Sequence, residues 1–261
     1  MKPWKAALAA LSLLTVAVAC QPTKPPPPSG SGGNGFDACT APSTGAMSAW
    51  LQSPYRFVGV YIGGGNRACA QPNLTANWVG TVHGMGYGLI PTYVGDQAWC
   101  TSASNVVVMP QGDLAGDQSH GYLEGADAVN SAGALGLGQG TPIYFDMEAY
   151  NTSAPGCTDS VTAFMSGWIA ALRDRGYVTG MYSSSASGVR DMANIQNNPP
   201  YQLDAIWFAN WNGNPSLFGD PFFPDSVWQN ARIHQFQGGH DESWGGVTIN
   251  IDSDAVGGPT G

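Results

Sequence analysis

The sequence predicts a single α/β domain folded as a TIM-barrel-like (β/α)8 barrel. Three observations carry that prediction. Eight short apolar or alternating segments recur between Gly35 and Asp254, with helix-periodic or turn-rich stretches between them. Residues 35–261 are long enough for one substantial core, and they contain neither a second linker nor a repeat of solenoid period. Acidic side chains stand at the carboxyl ends of several segments, the rim on which such barrels carry their chemistry. A doubly wound open sheet is the alternative, but no Gly-x-Gly-x-x-Gly motif opens a helix after the first strand.

The elements follow in order. Gly35-Phe36-Asp37-Ala38 is a first strand, with a helix from Ser43 to Leu51 behind it. Phe57 to Ile62 forms the second strand, and Leu74 to His83 the second helix. Tyr87 to Val94 is the third strand, interrupted by Pro91 near its end. From Asp117 to Leu137 the alanine-rich spacing of Leu123, Ala126, Ala128 and Val129 predicts a third helix. Pro142 to Met147 is the fourth strand. The helix from Thr158 to Arg175 takes Thr158 as its cap and Gly176 as its stop. Tyr177 to Ser183, Asp204 to Ala209, Arg232 to Phe236 and Val247 to Asp252 complete the eight strands. Between Trp211 and Gln229 proline and glycine leave little room for a helix, so the sixth crossover is expected as an irregular loop.

Residues 1–19 read as an export signal. Lys2 and Lys5 precede an apolar run from Ala6 to Ala19 that closes on the small-residue motif Ala17-Val18-Ala19. The run is short of the roughly 20 residues that a bilayer-spanning helix needs, and no twin arginine is present. Cys20 follows directly, where a bacterial lipoprotein carries its acylated cysteine; plain cleavage before it is the alternative. Residues 20–34 form a linker, extended at Pro25 to Pro28 and flexible from Ser29 to Asn34. Setting Cys20 aside leaves Cys39, Cys69, Cys100 and Cys157, enough for two disulfides in an oxidising compartment, with three pairings open. The net charge of −9, with Lys24 the only lysine beyond the signal, argues against nucleic acid and against docking on anionic membranes. Membrane association is expected only through an acyl group at Cys20, and the domain is expected to be a monomer.

The run from Tyr144 to Tyr150 carries the chemistry. Strand alternation puts Tyr144, Asp146 and Glu148 on one face and Ile143, Phe145 and Met147 on the other. A phenol and two acids are a costly choice for a folded interior. A carboxylate pair capping a neighbouring helix is the structural alternative. In a barrel, Asp37 on strand one and Asp252 on strand eight come together across from strand four, so four acids ring one mouth. Tyr61, Tyr93, Tyr182, Trp207, Trp211 and Gln235 fall at similar heights, and stacking faces with hydrogen-bonding groups around acids suit a carbohydrate.

Gly35-Phe36-Asp37, Tyr144-Phe145-Asp146-Met147-Glu148, Tyr182-Ser183-Ser184, Trp207-Phe208-Ala209-Asn210-Trp211, His234-Gln235-Phe236 and Asn250-Ile251-Asp252 occur in the order of a known pattern. The chain resembles the glycoside hydrolase-like domain of secreted bacterial proteins, first catalogued without a defined function. Its Asp, Asp-x-Glu and Asp layout is more distantly similar to family 25 lysozymes (muramidases). That resemblance implies Glu148 as general acid, Asp146 as the group that stabilises positive charge or orients an N-acetyl group, and Asp37 and Asp252 as residues that position and tune the pair. It implies a peptidoglycan-type polysaccharide as partner and calls for no cofactor.

A glycan-binding envelope module that kept the barrel without turnover is the competing class. A metal-dependent hydrolase is a third, since four acids suit Ca²⁺ or Mg²⁺; His83, His120, His234 and His240 lack paired zinc spacing, so no metal site is assigned. The serines from Ser183 to Ser187 lack a nucleophile-elbow pattern.

Overall fold

The computed structural model describes residue 1 and residues 32–261. The signal segment, Cys20 and nearly all of the linker lie outside the described residues. The domain is a closed eight-stranded barrel in the order β1-β2-β3-β4-β5-β6-β7-β8. The strands are β1 (Gly33–Asp37), β2 (Tyr55–Gly63), β3 (Gly88–Tyr93), β4 (Pro142–Asp146), β5 (Val178–Ser184), β6 (Ala205–Ala209), β7 (Arg232–Trp244) and β8 (Val247–Val256). The helices are α1 (Thr44–Ala49), α2 (Ala76–Gly84), α3 (Leu114–Ala134), α4 (Cys157–Asp174) and α5 (Arg190–Ile195). Among the described residues no helix is long and apolar enough to cross a membrane.

Local chemistry accounts for most boundaries. Ser43 caps α1 by accepting from the Ala46 amide, and Thr75 caps α2 by accepting from Trp78. Asp113 caps α3 in the same way through Gly116, so that helix begins three residues before Asp117. The α4 start differs from the sequence expectation. Gly156, in the left-handed region at φ 85°, is its cap, and Thr158 instead donates to Asp191. Gly176 does end that turn, at φ 77°. A π-helical turn, Ser185–Val189, leads into the short α5, an element that periodicity in so brief a segment does not reveal.

Pairs from β1 to β7 are parallel, whereas β8 runs antiparallel to both β7 and β1. The last connection is therefore a hairpin rather than a helical crossover. Gly245 and Gly246, at φ 59° and 80°, supply the two positive-φ positions of a tight hairpin turn. The paired segments project beyond the barrel and fold back on the end of α1. There Trp50 Nε1 donates to the Val247 carbonyl at 3.0 Å, and Tyr55 Oη donates to Glu242 at 2.7 Å. The sixth crossover, residues 210–231, carries no helix, as expected.

Alternation on β4 sorts the core. Phe145 faces outward into the helix layer, 4.8 Å from Phe164 and 5.1 Å from Trp168. Tyr144 faces the interior, edge-on to Trp207. Gly59 and Gly180 leave room for these large interior groups. A Cβ on Gly59 would stand 2.5 Å from Asp37 Cβ, and one on Gly180 would stand 2.5 Å from the Tyr144 ring.

Candidate active site

The strand ends build the site. Asp37 is the last residue of β1 and Asp146 the last of β4, and both are buried. Glu148 lies two residues past Asp146 and is exposed at the rim. Asp252 sits midway along β8 rather than at its end. The reversed direction of that strand still brings it to the mouth, because Asp252 pairs with Asp37. All four acids line one cavity of about 450 Å³, together with Tyr61, Asn66, Arg67, Gln97 and the Cys39–Cys69 bridge. The pairing that the sequence left open is thus Cys39 with Cys69 and Cys100 with Cys157. The first ties the loop after β1 to the loop after β2; the second ties the loop after β3 to the start of α4.

Gln235 organises the mouth. Its Nε2 donates to Asp37 Oδ2 at 2.9 Å and, more weakly, to Asp252 Oδ2 at 3.5 Å. Its Oε1 accepts from Tyr182 Oη and from Trp211 Nε1, both at 2.9 Å. Tyr61 donates to the other Asp37 oxygen at 3.0 Å. Gln97 clamps the end of β4. It donates to the Asp146 carbonyl at 2.7 Å and accepts from the Glu148 amide at 2.8 Å.

A fifth acid, Asp254, lies one alternation deeper on β8, fully buried. Trp207 Nε1 donates to its Oδ1 at 2.9 Å, while its Oδ2 has no donor. Asp146 Oδ1 is likewise buried without a partner. Burial and like charge act together on this group. Burial, then the neighbouring Asp252, raises Asp37 to about 7. Burial, then Glu148 and Asp37, holds Asp146 well above the usual carboxylate range. Burial, then Asp37, does the same to Asp254. The mouth walls and then Asp252 raise Glu148, although its end meets solvent, and burial raises Asp252. Desolvation keeps the Tyr61 and Tyr182 phenols protonated as donors.

The aromatic expectations divide. Tyr61 and Tyr182 stand at the mouth, and Trp211 is 66% exposed beside it. Tyr93 does not reach it. Thr92 is the register partner of Tyr61 and takes the interior parity. Tyr93 therefore packs outward on Trp168 and donates to Asp127 of α3. Trp207 is only 1% exposed and forms the floor under Tyr182, so it offers no free stacking face. Gln235 is equally buried and orients other side chains. Sequence reading passes over Gln97 and Asp254. The first has no local signal, whereas the Asp252-x-Asp254 spacing places the second on the same strand face as a residue already singled out.

A second cavity of about 360 Å³ adjoins the first, lined by Glu148, Tyr182, Ser184, Asn210, Trp211 and Phe222 among others. Glu148 is thus common to both.

The family model described as Rv2525c-like, glycoside hydrolase-like domain matches residues 48–256. That span omits β1, so Asp37 joins the site through the fold. No curated protein matches the sequence. Three solved structures share the fold at low identity. An uncharacterized B. stearothermophilus protein aligns with TM-score 0.56 and 15% identity, over 85% of this chain and 94% of that one. The modular autolysin LytC from Streptococcus pneumoniae aligns with TM-score 0.53 and 13% identity, over 86% and 46%. The Clostridium perfringens spore cortex lytic enzyme SleM aligns with TM-score 0.51 and 14% identity, over 87% and 67%.

Proposed function

This chain belongs to the Rv2525c-like, glycoside hydrolase-like domain family, and on that footing we propose that it is an exported hydrolase of a peptidoglycan-type glycan. The observation that carries the reading is the convergence of Asp37, Asp146, Glu148 and Asp252 in one mouth. Glycoside cleavage needs one carboxyl that holds a proton and others that carry negative charge toward the sugar. Glu148 is the general acid. Its proton passes to the glycosidic oxygen as the bond to the anomeric carbon breaks, with the bonding electrons staying on the departing oxygen; water then bonds to the anomeric carbon, and the proton it loses goes to a carboxylate of the cavity. Asp146, in the cavity wall and held neutral by burial and by its acidic neighbours, orients the N-acetyl group of the sugar. Asp37, held by Tyr61 and Gln235, and Asp252 fix the pair and set its proton affinities.

Purified domain released on peptidoglycan and a panel of other polysaccharides tests this. Soluble sugar should appear with wild-type protein and fall about 10²–10⁴-fold in Glu148→Gln, with circular dichroism unchanged. Absence of release from every polysaccharide would sink the hydrolase. Saturable glycan binding that Glu148→Gln leaves intact, without cleavage, identifies a binding module instead. Activity that survives a chelator removes a metal requirement.

Residues 1–19 act as the export signal, residues 20–34 as the tether, and Cys20 as the acyl anchor. The two disulfides support an oxidising destination. Replacing Cys20 with Ser should move the protein from the membrane fraction to the medium; unchanged partition removes the anchor.

A further inference from the structure

The second cavity has an unusual wall. Trp211 projects a large exposed indole, yet its position is fixed. Its Nε1 is bonded to Gln235, and one face lies on Gly238, where a Cβ would come within 2.9 Å of the ring. The other face is left to solvent. The wall continues along the helix-free crossover, where Phe222 is 43% exposed. That crossover is irregular in secondary structure but densely tied. Asn210 Nδ2 donates to Asp220 Oδ2 at 2.8 Å, and Asp220 Oδ1 accepts from the Phe222 amide at 2.9 Å. The wholly buried Arg232 donates to the carbonyls of Leu217, Pro224 and Val227, and its guanidinium lies 4.8 Å from both the Phe218 and Phe223 rings. His234 is within hydrogen-bond distance of the Ser216 and Asn210 carbonyls, at 2.7 and 3.0 Å. An exposed aromatic pair held this firmly meets a ligand with little entropy left to lose.

We infer that Trp211 and Phe222 form the binding site for the sugars on the leaving-group side of the cleaved bond, so that a glycan chain crosses the mouth and is cut internally. The inference rests on the hydrolase reading and assigns direction to it. Asp37, Asp146 and Asp252 all line the first cavity and none lines the second, so the ring whose anomeric carbon reacts sits in the first. The proton donor Glu148 stands on the boundary, facing the glycosidic oxygen. The departing half then lies in the second cavity, against apolar ring faces and the polar Ser184 and Asn210. By the direction of glycoside chemistry, that half is the reducing-end side.

Full-length Glu148→Gln protein titrated with β-1,4-linked N-acetylglucosamine oligomers of two to six units tests the groove without requiring turnover. Affinity should increase with length. Trp211→Ala and Phe222→Ala should each weaken binding of the hexamer by about tenfold, a loss in the range of a single stacked aromatic contact. Because Phe222 is exposed, its variant serves if Trp211→Ala unfolds. A nitroxide on the reducing end of the pentamer should broaden the Trp211 indole N–H resonance and spare the Ala68 amide in the first cavity. Hexamer affinity within twofold of the parent in both variants, no measurable binding, or broadening confined to Ala68 would each overturn the assignment. Trp211-dependent binding without cleavage by wild-type protein would retain the groove and remove the hydrolase.

Discussion

Asp254, buried in the centre of the barrel, has one oxygen supplied by Trp207 and the other facing no donor. An ionised carboxylate left in that state is costly, whereas a neutral acid satisfies itself by donating to Asp37. The bond between these two acids favours the charged form of Asp37 and the neutral form of Asp254. Asp254→Asn keeps a donor at that point and should hold activity within about threefold, while Asp254→Leu removes it and raises the Asp37 pKa. Carboxyl carbon resonances followed through a pH titration read both effects, and an ionised Asp254 at neutral pH would contradict the assignment. In the proposed role of general acid Glu148 must be protonated, so turnover should decline as pH climbs through its raised pKa. Residue identity carried most of this chemistry into the sequence. The two acids on β4 were visible from alternation, but the clamp by Gln97 was not, because 49 positions separate it from Asp146.

Loops set the shape of the mouth, and each is restrained differently. The Cys39–Cys69 bridge closes a separation of 30 residues across two loops that line the acid cavity. Reduction, or paired replacement by Ser, should loosen those loops, costing about 3–4 kcal/mol of stability. Activity should fall at reductant concentrations that leave far-UV circular dichroism intact. The crossover before β7 depends on Arg232, whose buried guanidinium serves three carbonyls and Asp225. Arg232→Met leaves the three carbonyls without donors and should cost roughly 3–5 kcal/mol, measured by denaturant unfolding. Most helices were legible from capping residues and apolar period. The β7–β8 hairpin was announced by Gly245-Gly246 between alternating segments, yet a uniform barrel pattern masks such a signal. Tyr93 went astray for a similar reason: strand height could be read along the chain, but its outward parity depends on register with β2.

At the scale of the whole molecule, the barrel encloses carboxyls that the fold prefers neutral. Asp37, Asp146 and Asp254 ionise more readily in the unfolded chain than in the folded one. Their contribution to stability is complete below the unfolded values near 4 and is lost as pH rises through the folded ones, about 7 for Asp37. The thermal midpoint should therefore be higher at pH 5 than at pH 8, by on the order of 5 °C, and Asp37→Asn should narrow the gap. An equal or higher midpoint at pH 8 would contradict this. Alternation, capping and apolar spacing are local properties, so the sequence by itself determined the eight strands, the barrel class and the acids on strand four. Tertiary structure alone decided that Asp252 meets Asp37, that Tyr93 turns away, and that Glu148 divides two cavities. Those outcomes depend on register and closure between strands far apart in the chain, and residues along one strand carry no record of which neighbour they will face.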